Sequence, residues 1–451
     1  MLRIYDSLTR ETRAFEPLVP GQIGIYVCGQ TVYDAPHLGH ARKDLGFDVV
    51  VRWLEASGYK VTYVRNLTDI DDKIIQRAGE LGEAIASFTQ RMIDKTNEDY
   101  TALRLRAPDH EPRATAYVGE MIELAGVLES EQVAYHSGDL YYSVRAFDGY
   151  GKLSHRSLDD MRAGERIDID TRKRDPMDFV LWKVGKQGEP DDAIWPSPWG
   201  DGRPGWHLEC SAMARALLGK TIDIHGGGPD LRFPHHENEI AQSEAANHAP
   251  LANWWMHVGQ LDIGGDKMSK SLGNFTTLEE AITQFGGDVV RFYFVRTHYR
   301  SPVNFSLAGL EDAASGLERL HNAMRSVAGD GAPLDWDEAH AARFRAAMDE
   351  DFNAPAAMGV LFELVGEVNR GSSPALARQL VLLAGILGLG LPEAVADPEG
   401  EAIQALVEAR SAARAAKDYA EADRIRAELD SKGVIIDDTP NGTIWRRTRG
   451  S

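Results

Sequence analysis

The chain has 451 residues, too many for one core, and by ordinary domain sizes divides into roughly three or four domains. Its 49 basic and 69 acidic residues leave a formal charge of −20, which excludes a broad nucleic-acid-coating surface and confines any polyanion to local basic patches. Apolar content of 43%, no apolar block in the first twenty residues and a longest apolar run, Leu380 to Leu391, of about half a membrane span argue for a soluble, cytoplasmic protein with no membrane segment.

In chain order, the β-branched run Ile23 to Val27 predicts a buried strand. It leads through Cys28-Gly29-Gln30-Thr31-Val32-Tyr33-Asp34-Ala35-Pro36-His37-Leu38-Gly39-His40 into a helix from Leu38 to Glu55, with Pro36 suited to the first turn and an end near Gly58. A helix N-terminus after a buried strand favours an anion. His37 and His40, at i and i+3, would donate to phosphate oxygens, and Gly39 would let a flat group come close. The alternative is a helix start with two surface histidines.

Lys60 to Val64 predicts a second strand, with Asn66 to Asp72 at its carboxyl end, where an open α/β sheet meets its ligands. Asp69, Asp71 and Asp72 suit a helix cap or solvated turn better than a calcium loop, which needs a glycine and a terminal glutamate. Residues 75–100 suggest a helix. From about Arg113 to Gly205 the texture changes. Helical residues through Leu128 give way to a β-type stretch, Ala134 to Val144, and a polar run with Trp182, Trp195 and Trp199, together read as an insertion into the α/β domain.

The sheet resumes near Gly205, with a helix through Leu218, a strand from Thr221 to His225, a glycine loop from Gly226 to Asp230, and a helix starting at Phe233 to Glu239, in which His235 and Glu239 share a face. After a strand from Trp254 to Val258 comes Lys267-Met268-Ser269-Lys270-Ser271, a cationic loop able to close over a polyphosphate or, alternatively, an exposed basic turn. Residues 277–325 are mostly helical with a turn from Tyr299 to Val303. Asp337 to Leu391 is a helical bundle, Ala394 to Glu399 a linker, Ile403 to Leu429 one or two amphipathic helices, and the Asn-Gly pair between Val434 and Trp445 a hairpin turn. Local basic clusters are Arg291, Arg296 and Arg300, and Arg446, Arg447 and Arg449.

Two cysteines in so long a chain are not a disulfide framework. Cys28, Cys210, His235 and Glu239 come from separate segments but all from strand-to-helix junctions of one sheet. Two thiolates, an imidazole and a carboxylate suit Zn²⁺ in softness and charge. The spacing is not that of a zinc finger, and His207, His225 and His236 are rival ligands.

Cys28 to His40, Asn66 to Lys73, Trp206 to Cys210, Asp223 to Glu239 and Lys267 to Asn274 together resemble a class I aminoacyl-tRNA synthetase, and specifically the cysteinyl-tRNA synthetase family. The resemblance implies an α/β fold: a split, Rossmann-like parallel sheet domain with an insertion, then an α-helical bundle and a small C-terminal α+β domain. Its boundaries would be a catalytic first half at 1–112, a connective insertion at 113–204, a catalytic second half at 205–258, the loop and stem-contact segment at 259–325, a bundle at 326–395 and an anticodon-binding domain at 400–451.

It further implies that His37, Gly39, His40 and Lys270 bind ATP, which arrives with Mg²⁺. Lys270 would stabilise charge at the α-phosphate as the amino acid attacks, with help from Lys267. One zinc per chain, held by Cys28, Cys210, His235 and Glu239, would take the thiol of L-cysteine as thiolate. Asp230 would accept the substrate ammonium, and Gly29, Thr68 and Trp206 would line its pocket. Tyr419, Trp445, Arg446 and Arg447 would contact tRNA(Cys), with a core position the alternative for Tyr419. A monomer is the expected form. The nearest rival is a ligase that joins cysteine to an aminosugar-inositol through the same adenylate, against which the terminal segment Lys417 to Arg447 weighs. A synthetase-like protein without catalysis would be expected to lose a signature histidine or lysine.

Overall fold

Four segments rich in β-branched and aromatic residues pair in parallel to make the sheet that carries the site. In a computed structural model describing residues 1–158, 171–186, 188–263, 277–371, 373–391, 399–439 and 442–447, they lie side by side in the order Ala252–His257, Ile222–Gly227, Gln22–Thr31, Lys60–Thr68. From Gln22–Thr31 the chain builds outward to one side first and, after the insertion, to the other. The order therefore reverses between Gln22–Thr31 and Ile222–Gly227, the place where an open parallel sheet leaves a crevice beyond its carboxyl ends.

The first strand does not stop at Val27. It runs to Thr31 through a bulge: Val27 faces Arg65 and Gln30 faces Leu67, so three steps oppose two. Gly29 is required there, because a Cβ would fall 1.6 Å from the Asn66 carbonyl oxygen. The following helix is Leu38–Ala56, and Gly58 (φ +91°) follows its end. Pro36 lies outside that helix, since His37 is the N-cap. The 75–100 stretch divides at Gly82 (φ +66°) into Asp72–Leu81 and Ile85–Ala102. Asp71 caps the first, accepting from the Lys73 N–H at 2.9 Å, while Asp72 pairs with Lys183 and Arg203, so the aspartate run is a cap and an anchor.

Gly138 (φ +81°) turns the Ala134–Val144 stretch into a hairpin, which joins Phe179–Val184 and Gly202–Pro204 in an antiparallel sheet. This insertion supports the helix His235–Asn247 from behind. Glu237 on that helix is fully buried, and its carboxylate accepts from the N–H groups of Gly151 (2.9 Å) and Ser154 (2.8 Å). Tyr142 donates to the Ala241 carbonyl at 2.9 Å. Buried charge needs such donors, so the pairing fixes the helix's register against the insertion.

Helices Leu278–Phe285, Gly287–Val295, Leu307–Ser326, Ala339–Asp349, Ala354–Gly371 and Pro374–Ile386 share one core with the Leu38–Ala56 helix. The Arg291, Arg296, Arg300 cluster is no basic patch. Arg291 is fully buried, ion-pairs with Asp48 and donates to the carbonyls of Leu387 and Leu103 at 3.0 Å each, while Arg296 pairs with Asp312 and Arg300 with Asp351. Removing one member of the buried Arg291–Asp48 pair would cost about 3–5 kcal/mol. Lys417 (φ +62°) separates the last helices, Gly400–Ala415 and Tyr419–Ser431, which pack with the hairpin Val434–Thr439 and Gly442–Arg447 on a core of their own: Ile403, Val407, Ile425, Leu429 and Val434. Among the described residues no helix is long and apolar enough to cross a membrane.

Asp99, on Ile85–Ala102, is buried with one carboxylate oxygen unpartnered. Burial pushes its acid up to about 6, with Lys95 opposing and Glu279 and Glu98 adding to the rise. Because the folded acid is weaker than the unfolded one, its favourable contribution is complete below pH 4 and lost as pH rises through 6. Asp99→Asn is expected to raise stability at pH 7.5 by about 1 kcal/mol and to flatten the stability curve between pH 4 and 6, as chemical denaturation at both ends of that range would show.

Candidate active site and metal centre

The bulge at Cys28 and Gly29, the first turns of the Trp206–Leu218 helix and the first turns of His235–Asn247 converge beyond the carboxyl ends of the sheet. They bring Cys28, Cys210, His235 and Glu239 together, with one ligand atom of each within 4.8 Å of the others and every side chain buried. The sulfurs of Cys28 and Cys210 are 3.6 Å apart, Cys28 Sγ is 3.3 Å from Glu239 Oε1, and His235 Nε2 is 3.1 Å from the same oxygen. A tetrahedral zinc with Zn–S bonds of about 2.3 Å separates two sulfurs by about 3.8 Å, so the spacing fits a tetrahedral ion with little movement.

The rival histidines sit around this set. His225 Nε2 lies 2.8 Å from Glu239 Oε2, the oxygen turned away from the sulfurs, and holds the carboxylate in place. His207 Nδ1 faces His235 Nδ1 at 3.0 Å, and His236 Nδ1 faces His257 Nε2 at 2.9 Å. Cys28, His225, His236 and Glu239 also lie within 4.8 Å of one another, but that set has one sulfur instead of two. Such outer partners commonly orient metal ligands.

Electrostatics prepare the first set for a cation. Burial pushes the Cys28 thiol up, whereas Cys210, accepting the Cys28 hydrogen bond against its own burial, falls to about 6. Burial disfavours a charged His235, yet Glu239 and Cys210 outweigh it and raise the imidazole to about 10. Without metal, charge is thus balanced by protons that a metal would displace.

The phosphate end is built differently from the expectation that free helix N–H groups meet the anion. His37 Nδ1 accepts from the Gly39 N–H at 3.0 Å, and His40 Nδ1 accepts from the His37 N–H at 3.2 Å, a histidine capping box with rings stacked at 3.8 Å. Two of the helix's donors are consumed in this way. An imidazole that accepts at Nδ1 carries its proton on Nε2, so each ring keeps an Nε2–H for a ligand. Burial pushes both imidazoles down, His40 to about 3, and they act as neutral donors.

Gly39 serves this arrangement, since a Cβ there would stand 2.8 Å from His37 Cε1. Gly39→Ala is expected to push the His37 ring off its cap and weaken any polyphosphate bound at this end of the cleft by about tenfold, the worth of one good hydrogen bond, with unchanged circular dichroism. Direct titration with ATP measures it.

An open cleft of ≈ 520 Å³ runs past these histidines and is lined by Gly29, Trp206 and Asp230 as well. Trp206 is exposed, with its ring 4.2 Å from that of His235. Thr68 does not line the cleft. Its hydroxyl donates to Glu209 at 2.8 Å, beside the metal set. Lys267 and Lys270 lie outside the described residues. Sequence reasoning missed Arg42 and Lys43, which also line the cleft. The spacing of His37, His40 and Lys43, three residues apart each time on one helix, was the available signal.

At the far end Tyr419 is 63% exposed at the start of its helix, which removes the core alternative. Trp445 packs against the small terminal core and donates to Gln404 at 3.0 Å. Arg446 and Arg447 pair through their backbones with Ile435 and Val434.

A twofold-split parallel sheet, a histidine-capped helix and a crevice at the strand reversal are features of a class I aminoacyl-tRNA synthetase. The methionyl-tRNA synthetase of Mycobacterium tuberculosis, solved with methionyl-adenylate, shares this fold with a TM-score of 0.57 at 15% identity, over 82% of this chain and 90% of that one. Family models match in three parts: the tRNA synthetases class I (C) catalytic domain at residues 14–315, a DALR domain at 343–392, and the cysteinyl-tRNA ligase anticodon binding domain at 398–446. The chain is 57% identical to the cysteine–tRNA ligase of Janthinobacterium sp. (strain Marseille), over 99% of each, and 55% identical to that of Aromatoleum aromaticum, over 99% of this chain and 100% of the other. It belongs to the cysteine–tRNA ligase family and is an ATP-dependent aminoacylating enzyme.

Proposed function

We propose that this chain joins L-cysteine to tRNA(Cys) through a cysteinyl-adenylate, with zinc selecting the substrate thiol. The observation that carries the reading is the buried cluster of two sulfurs, one imidazole and one carboxylate beside a cleft rimmed by two neutral histidines. Cys28, Cys210, His235 and Glu239 would hold the ion. Bound there, zinc supplies a soft Lewis acid for a thiolate, a bond that serine and alanine cannot imitate, and so discriminates without an editing site.

The chain's own residues do the rest. His37 and His40 give Nε2–H to the ATP phosphates, Asp230 accepts the substrate ammonium, and Trp206 and Gly29 shape the walls. Lys267 and Lys270 neutralise charge as the carboxylate attacks the α-phosphorus and pyrophosphate leaves. The terminal ribose hydroxyl of tRNA then attacks the carbonyl and AMP departs. Neither step needs a protein nucleophile. Alignment and charge neutralisation suffice, with Mg²⁺ arriving on ATP. Arg446, Arg447 and the exposed Tyr419 are assigned to tRNA, whereas Trp445 acts from the small core.

Pyrophosphate exchange with cysteine, serine and alanine tests the reading, followed by charging with tRNA and glucosaminyl-inositol as competing acceptors. Exchange with cysteine alone and transfer to tRNA are expected. Transfer to the aminosugar would overturn the acceptor, and exchange with serine at a similar rate would overturn the role of the metal.

A further inference from the structure

The ladder between Gln22–Thr31 and Lys60–Thr68 skips at Cys28 and Gly29, and the Cys28 carbonyl stands at that break. Lys43 reaches it. Its ammonium donates to the Cys28 carbonyl at 2.7 Å and lies 3.3 Å from Asp44 Oδ1. Lys43 sits three residues beyond His40, is 6% exposed, and lines the same cleft as His37 and His40.

Among the described residues lining that cleft, the charged ones are Arg42, Lys43 and Asp230. Arg42 is already committed, donating to the carbonyls of Phe294, His298, Tyr299 and Ser301. His37 and His40 are neutral. An ammonium has three N–H groups, of which one lies on the Cys28 carbonyl, while Asp44 Oδ1 is an ion-pair neighbour that accepts no hydrogen bond, which leaves N–H groups for the cleft. Its field reaches the ligand end, for it helps push both imidazoles down.

We propose that Lys43 is a binding residue for the reacting oxyanion, giving an N–H to the α-phosphate of ATP or to the carboxylate of the amino acid. The inference rests on the ligase reading above. It places a fixed positive charge where carboxylate and phosphate must approach one another against their mutual repulsion, and it ties that charge to the backbone of the first metal ligand.

Lys43→Met and Lys43→Arg are tested by pyrophosphate exchange, with the melting temperature and zinc content of each variant measured alongside. Lys43→Met is expected to raise one KM by about tenfold or more, the loss of a charge-assisted hydrogen bond, with zinc content unchanged, and Lys43→Arg to recover most of it. A rise in the KM for ATP identifies the phosphate as the partner, and a rise in the KM for cysteine identifies the carboxylate. If Lys43→Met lowers the melting temperature while both KM values and kcat stay within twofold, or if it loses zinc together with activity, Lys43 only holds the bulge and the assignment is wrong. The wild-type chain separates the two failures: absence of exchange in the wild type sinks the ligase reading, whereas normal wild-type exchange with an unmoved Lys43→Met sinks only this inference.

Discussion

Replacing Cys210 with serine is expected to abolish the zinc binding proposed above while leaving the chain folded. The thiolate lost is one of two buried sulfurs 3.6 Å apart, and a neutral hydroxyl is a far poorer ligand for a borderline-soft ion. Metal affinity should fall by at least about a hundredfold, on the scale seen when ligand surroundings are lost. The fold should survive, because Glu239 keeps His225 at 2.8 Å and His235 at 3.1 Å as partners.

Metal analysis after dialysis, beside circular dichroism, reads both parts. A variant retaining one tightly held zinc would remove Cys210 from the ligand set. The same site carries a pH dependence: a metal must displace the protons held by His235, raised to about 10, and by the Cys28 thiol, pushed up by burial, so zinc affinity should rise with pH and loading should weaken in acid. A pH-independent affinity would contradict that charge balance.

Truncation after Leu391 should separate the two half-reactions. Helices Gly400–Ala415 and Tyr419–Ser431 and the strand Val434–Thr439 pack on a core of their own, Ile403, Val407, Ile425, Leu429 and Val434, apart from the core shared by the Leu38–Ala56 helix and the bundle. Cysteine-dependent pyrophosphate exchange is expected to stay within about threefold, since no cleft residue is touched, while tRNA charging at physiological salt falls by about a hundredfold or more with the loss of the tRNA contacts proposed for this segment. Equal loss of both would make the segment structural.

Particular elements show where legibility ended. The helix from Leu38, the strands near residues 23, 60, 222 and 254, the last two helices and the terminal hairpin follow from periodicity and turn chemistry, and the structure contains each of them. The breaks were harder. Gly82 and Gly138 each stop an element by adopting a positive φ, a choice that any glycine permits and that only neighbouring packing enforces. The strand beyond Val27 was hidden because a bulge interrupts the alternation a strand would show. Arg291 looked like part of a basic patch because three arginines at close spacing have that appearance in a list. Its burial against Asp48 depends on a helix more than two hundred residues away.

By itself, then, the sequence determined the residue types that chemistry requires: two cysteines, a histidine and a glutamate at strand-to-helix junctions, two histidines three apart at a helix start, and a lysine-rich loop. Their chemistry resides in donor atoms and in charge, and these are local properties. Tertiary structure alone decided what each group faces. It turned His37 and His40 into caps of their own helix with Nε2–H left over, took Thr68 to Glu209 instead of the cleft, set His225 on the far oxygen of Glu239, and brought Lys43 to the Cys28 carbonyl at the bulge. Hydrogen-bond direction and burial depend on partners far away in the chain, and no spacing rule along one strand or helix encodes them.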